Sequence, residues 1–202
     1  MNIEDKGEYE LQPNDWITSD WHFGHANVIR YCNRPFASVE EMDEKLIESW
    51  NEYIQPTDRV FFLGDLAFKG KQYKSALIPK LNGRKILIKG NHDAGRTFMC
   101  EHGFEAAHLS ASGRYYDGMM HKSYLMEHIP DFDHAREVDL YFCGHVHEKW
   151  AFVAPAIYNV GCDNYAFRPL TVSQVLFTAP TVQNMKNFVL PSGSLEIKFE
   201  NS

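Results

Sequence analysis

Two kinds of apolar pattern alternate through the first half of this chain. "WITS" at 16–19 is a short run of strand length that ends at Asp20. "HANVIRYC" has the spacing of one or two helical turns and is stopped by "NRP". Over 38–54, Val39, Met42, Leu46, Ile47 and Trp50 recur on one helical face, with Ser38 as N-cap and Glu41 completing a capping box. "RVFFLG" (59–64) and "KILIKG" (85–90) are apolar strands closed by glycine, with a helix over "KQYKSALIPKL" between them. Such alternation predicts parallel strands joined by crossover helices.

The second half changes character. "RYYDGMMHKSYLMEH" places a DG turn between two runs that can pair as a hairpin. "DLYFCG", "AIYNVG", "TVSQVLFT" and "SLEIKFE" then read as strands with little helix between them. Parallel units leading into an antiparallel region predict an α/β sandwich of two mixed sheets.

Composition adds bounds. The 202 residues are 44% hydrophobic and 23% charged, enough for a well-buried core, and no linker, repeat or low-complexity tract divides them, so one domain over 1–202 is expected. The start is acidic and polar, without the layout of a secretory signal, and no apolar run approaches the roughly 18 residues a membrane span needs. A soluble cytoplasmic protein is the expectation. Cys32, Cys100, Cys143 and Cys162 are far apart with no CxxC pair and read as reduced core thiols. A net charge of −7 argues against binding extended nucleic acid. No acidic residue falls between Asp65 and Asp93, however, while Lys69, Lys71, Lys74, Lys80, Arg84, Lys85 and Lys89 do. That local positive stretch suits a small anion or a solvated face.

The candidate chemistry sits where the strands end: "SDWHFGH" (19–25), "LGDLAF" (63–68), "KGNHDAG" (89–95), "MEHIP" (126–130) and "GHVH" (144–147). Ligands of open α/β sheets collect beyond the carboxyl ends of the strands, so five polar clusters there point to one shared site. Asp20, His22, Asp65, Asn91, His128, His145 and His147 form a mixed imidazole, carboxylate and amide-oxygen set, suited to manganese, iron or zinc. Seven donors exceed one tetrahedral shell but serve two metals if a carboxylate bridges.

In order, these residues spell DxH, GD, GNHD, H and GHxH, which resembles the calcineurin-like metallophosphoesterase superfamily over about residues 15–170. "HFGHANVI", "NRPF" and "YNVGCDNYAFRPLTVSQV" further resemble a small single-domain branch found in bacteria and bacteriophages. The resemblance implies a four-layer αββα sandwich of two mixed sheets flanked by helices. It also implies a ligand partition. One metal takes Asp20, His22, Asp65 and His147; the other takes Asp65, Asn91, His128 and His145. His121, in the same hairpin, competes with His128 for the isolated histidine. Two divalent ions are implied as cofactors, manganese foremost, with iron, zinc, nickel or magnesium as alternatives.

The reaction so implied is in-line attack of a hydroxide shared by the metals on a phosphodiester. His92 would assist the leaving group, with Asp93 orienting its ring. His25, Asn27, Arg30 and Arg34 flank the first motif and are candidates to line the substrate pocket, Arg34 as a phosphate fork. Lys69 and Lys71 are candidates for the substrate's anionic group. The expected partner is a small nucleotide-like diester, 2′,3′-cyclic nucleotides among them, with no membrane and no long nucleic acid. A phosphomonoesterase or protein phosphatase, a nuclease, and a non-catalytic scaffold of the same fold stay open at this point.

Overall fold

A computed structural model describes residues 5–189. Two mixed sheets face each other. The five-stranded sheet runs in the order β11(170–171), β2(16–18), β3(59–62), β4(84–88), β5(104–108), parallel except for β11. The six-stranded sheet runs β1(6–11), β6(110–116), β7(121–127), β8(140–143), β10(157–159), β9(152–153).

Alternation along β3 shows how the layers form. Phe61 and Leu63 turn inward to a core shared with Tyr124, Met126 and Phe142 of the other sheet, while Val60 and Phe62 turn outward to the helices. The outer helices are α1(26–31), α2(39–53), α3(71–77) and α4(96–101). Met42, Leu46 and Trp50 of α2 are fully buried, as the helical spacing predicts. Ser38 caps the helix by accepting from the Glu41 amide (3.1 Å), but the Glu41 carboxylate reaches back to the Ala37 amide (2.7 Å) and not to that of Ser38. Outside the six-stranded sheet the fourth layer is thin. Among the described residues it consists of the 3₁₀ turns 134–137 and 147–149 over Tyr141, Cys143 and Ile157.

Three sequence expectations change. "TVSQVLFT" is not a strand: beyond Thr171 it begins α5(172–189), because Val172, Val175 and Ala179 recur at helical spacing and bury into the inter-sheet core. The second half is less antiparallel than expected, since β1–β6, β7–β8 and β8–β10 are parallel pairs. Twelve residues separate β7 from β8, enough for a crossover that keeps direction. Finally, β1, α4 and β5 are elements that the apolar pattern did not single out. In β1 the strand is "KGEYEL", whose outward glutamates hide an alternation that buries Gly7 and Leu11. "SLEIKFE" lies outside the described residues. Among those described, no helix is long and apolar enough to cross a membrane.

Candidate metal centre

The carboxyl ends of β2, β3, β4, β7 and β8 meet, and the loops that follow them are stitched together by backbone. The Asp20 amide donates to the Gly64 carbonyl (3.0 Å), the His22 amide to the Asp65 carbonyl (3.1 Å), and the Gly144 amide to the His128 carbonyl (3.0 Å). The loops pack closely enough to need glycine at specific places. A Cβ on Gly90 would overlap the Asp65 carboxylate, and one on Gly144 would come within 2.5 Å of Asp20 Oδ2 and Ser19 Oγ. Asp20, His22, Asp65, His145 and His147 all have left-handed backbone, with φ of 61°, 52°, 60°, 70° and 49°. Non-glycine residues rarely adopt it, and each costs about 1–3 kcal/mol unless the surroundings hold it. Its concentration at five of the seven expected ligands marks a functional site.

Three groups of possible ligand atoms result among the described residues; one is Cys32, His147 and Asp163, and the other two consist of expected ligands. Asp20, His22 and His147 bring ligand atoms within 4.8 Å of one another, and so do Asp65, His128 and His145. Asp65 stands between them: its Oδ2 is 3.6 Å from His22 Nε2 and 3.3 Å from His128 Nε2. Asn91 Oδ1 lies 3.0 Å from His128 Nε2. All seven expected ligands are therefore gathered. His121 is not among them. It is exposed at the far end of β7, paired with Tyr116, while His128 is buried at the site end.

The donors fit cations. Asp20 Oδ1 and both ring nitrogens of His22 are buried without a hydrogen-bond partner, a costly arrangement that an ion bound there would relieve. Asp20 Oδ2 is occupied by the Ser19 hydroxyl (2.6 Å) and the His145 amide (2.9 Å), so the carboxylate is held with one oxygen spare. His128 Nδ1–H donates to the Leu63 carbonyl (2.7 Å), turning Nε2 toward Asp65. Burial pushes His22 down to about 2, which keeps its ring neutral as a ligand must be. Burial also works against charge on His128, yet the hydrogen bond it donates to Asp65 and the charge of Asp20 hold it up at about 9. Asp65 stays below the usual carboxylate range because His128 and His22 outweigh its own burial.

Several supporting residues were not legible as such. Asp163 accepts from His147 Nδ1–H (2.9 Å) and faces Nε2 of that ring toward the donor group. Burial opposes ionisation of Asp163, but His147 and Arg34 keep its carboxyl below the usual range. Its sequence signal was an acid just past the β10 end in "NVGCDN", easily read as a turn. Lys74, buried on α3, donates to the carbonyls of Lys69 (3.0 Å) and His92 (3.1 Å), tying the loops after β3 and β4 together.

Three expected roles are corrected. Arg34 is not a phosphate fork. It is 4% exposed and its guanidinium is spent on both oxygens of Asp163 (2.8 and 3.0 Å) and on the carbonyls of Asp20 and Trp21 (2.7 Å each). Asp93 does not orient the His92 ring. One carboxylate oxygen accepts from the Asp65 and Gly90 amides and the other from Leu66, which clamps the second and third motifs together. Lys69 and Lys71 stay outside the cleft at the site: their ammonium groups lie over the rings of Tyr73 (5.0 Å) and Phe98 (5.3 Å).

That cleft, about 500 Å³, opens beside His22 and His147. His92 is at its mouth, with Nε2 4.0 Å from Asp65 Oδ2 and a half-exposed ring. His25 and Asn27 line it as expected, but Arg30 does not and instead donates to Asn27 Oδ1 (3.2 Å).

Comparison with known proteins gives the family. Residues 16–165 match the family model described as the calcineurin-like phosphoesterase superfamily domain. The chain is 39% identical over 127 residues to "Uncharacterized protein MJ1445" of Methanocaldococcus jannaschii, covering 56% of this chain and 72% of that one. It is 33% identical over 140 residues to "Gene 66 protein" of Mycobacterium phage L5 (61% and 67% covered), and 43% identical over 83 residues to its namesake in phage D29 (40% of each). The phage proteins support the bacteriophage-associated branch. Among solved structures, a protein of unknown function from Aquifex aeolicus, AQ665, shares the fold with a TM-score of 0.63 at 20% identity, covering 84% of this chain and all of that one. The matched span takes in all five motifs, and the chain belongs to the calcineurin-like phosphoesterase superfamily.

Proposed function

We propose that the chain is a metal-dependent phosphodiesterase of small, nucleotide-like substrates. The observation that supports this is the pair of neighbouring donor groups, Asp20–His22–His147 and Asp65–His128–His145, with Asp65 Oδ2 also 3.6 Å from His22, and with a buried carboxylate oxygen and an imidazole left without partners. Asp20, His22, Asp65 and His147 would hold one divalent ion and Asp65, Asn91, His128 and His145 the other, manganese being favoured. Bound ions of this kind supply Lewis-acid polarisation of a phosphoryl group and acidify water to near-neutral pKa.

The chain's own residues do the rest. Leu63 and Asp163 fix which nitrogen His128 and His147 present. Asp93 and Lys74 hold the loop that carries Asn91 and His92, so that the His92 ring stays at the cleft mouth. From there its ring N–H would donate a proton to the oxygen of the leaving alcohol. The modest cleft and the acidic surface of the chain favour a small ester over a long polyanion.

The test is a manganese-loaded assay across phosphomonoesters, 2′,3′-cyclic nucleotides, dinucleotides, short RNAs and phosphopeptides. The expected result is the highest kcat/KM on a small diester. A preference for phosphopeptides or monoesters, or for long RNA, would replace this reading.

A further inference from the structure

The cleft beside the metal centre has walls that metal chemistry does not require. His25 and Phe68 stack face to face, with centroids 4.0 Å apart and planes within 10°. Tyr31 stands near perpendicular to His25, at 6.3 Å and 78°. Phe68 is 51% exposed and Tyr31 70% exposed, an unusual cost for aromatic rings at a site unless something covers them. Val28 and Cys32 add apolar lining, and the exposed Asn27, Glu148 and Lys149 stand at the rim.

We infer that this cleft is a nucleobase slot, binding the nucleoside arm of the substrate; the inference rests on the phosphodiesterase reading and narrows it. Whatever fills the cleft reaches the metal centre directly, because His22, His92 and His147 line the same space. It is therefore an arm attached to the reacting phosphorus. Glycerol or a plain sugar would leave the rings of Tyr31 and Phe68 wet. An acyl chain would need a longer groove without Asn27 and Lys149 at its rim. A base has flat faces for the rings and polar edges for that amide and ammonium.

The experiment is titration calorimetry of the manganese-loaded protein with two ligands whose C–P bonds resist hydrolysis: the 5′-phosphonate analogue of AMP, and methylphosphonate. The natural chain should bind the adenosine compound at least about tenfold more tightly, and Tyr31→Ala or Phe68→Ala should each remove most of that preference while leaving methylphosphonate binding unchanged. Both positions are exposed, and thermal melts of the variants would confirm intact folding. Equal affinity for the two ligands in the natural chain, or a preference that survives both substitutions, would overturn the slot. The two readings separate cleanly. Diester hydrolysis without an adenosine preference removes the slot alone, whereas slot-dependent binding without hydrolysis of any diester supports the slot and removes the phosphodiesterase.

Discussion

At the scale of residues, the site separates candidate metal ligands from the groups that position them. The His92 amide, which alanine would keep, donates to Asp65 Oδ1 (2.9 Å), whereas its ring only stands 4.0 Å from Asp65 Oδ2 and edge-on to His22 at 5.5 Å. His92→Ala should therefore retain both metals by elemental analysis and lose turnover by about 10²–10⁴-fold, less for esters of p-nitrophenol, which need little protonation. Equal losses for good and poor leaving groups would remove the proton-donor role. Asp163 should behave in the opposite way. Replacing it by Asn keeps the shape but removes the charge that holds His147 and Arg34. Metal affinity, read by titration with a chelator, should fall about 10–100-fold, with a much smaller effect on kcat at saturating manganese. Unchanged affinity would show that the ring of His147 is positioned by packing alone. Asp20, Asp65, the histidines and Asn91 were legible in the sequence because metal ligands must be specific atoms at strand ends. Asp163 and Arg34 were not, because their partners lie 129 residues apart and only the fold brings them together.

At the scale of elements, most helices and strands follow their apolar periods, and the exceptions have local causes. β1 hides its alternation behind exposed glutamates, and α5 starts with β-branched residues that suggest a strand until their three- and four-residue spacing is seen against the core. β4 contains a more unusual feature. Lys85 faces the helical side, 5% exposed, and donates to the carbonyls of Leu81 (2.7 Å) and Gly83 (3.0 Å). Burial pushes its ammonium from 10.5 down to about 8. Below that pH the group is charged in both folded and unfolded chains. Between about 8 and 10.5 the unfolded chain holds a proton that the folded one has released, so stability should rise with pH across that window. Denaturant titrations of the natural chain and Lys85→Met should show the rise only in the former. A parallel rise in both would assign it to other groups.

At the scale of the whole molecule, the two sheets each deliver part of one site: Asp20, His22, Asp65 and Asn91 from one, His128, His145 and His147 from the other. Binding of ions should therefore brace the sheets against each other. Each site at about 100 times its Kd in manganese adds about 2.7 kcal/mol. At about 2–4 °C per kcal/mol for a chain of this size, scanning calorimetry should show a rise of about 10–20 °C with two ions per chain. Asp65→Asn should abolish most of the rise, because it is the one residue that faces both groups. Two tightly held ions in that variant would mean that the ligand partition is wrong.

What the sequence determined by itself was the list of donors, the strand ends that carry them and the family they signal. Those depend on residue type and short spacing, which the chain states directly. The tertiary structure decided where the remaining charges went. Arg34, Lys69 and Lys71 looked available for substrate and Asp93 for the His92 ring, and each is instead engaged with a carboxylate, a ring or a set of amides. It also decided that His128 and not His121 reaches the centre, and that Tyr31 and Phe68 stand exposed beside it. The reason is physical: which partner satisfies a polar group, or covers an aromatic face, depends on chain segments far apart in sequence, and no local pattern encodes that choice.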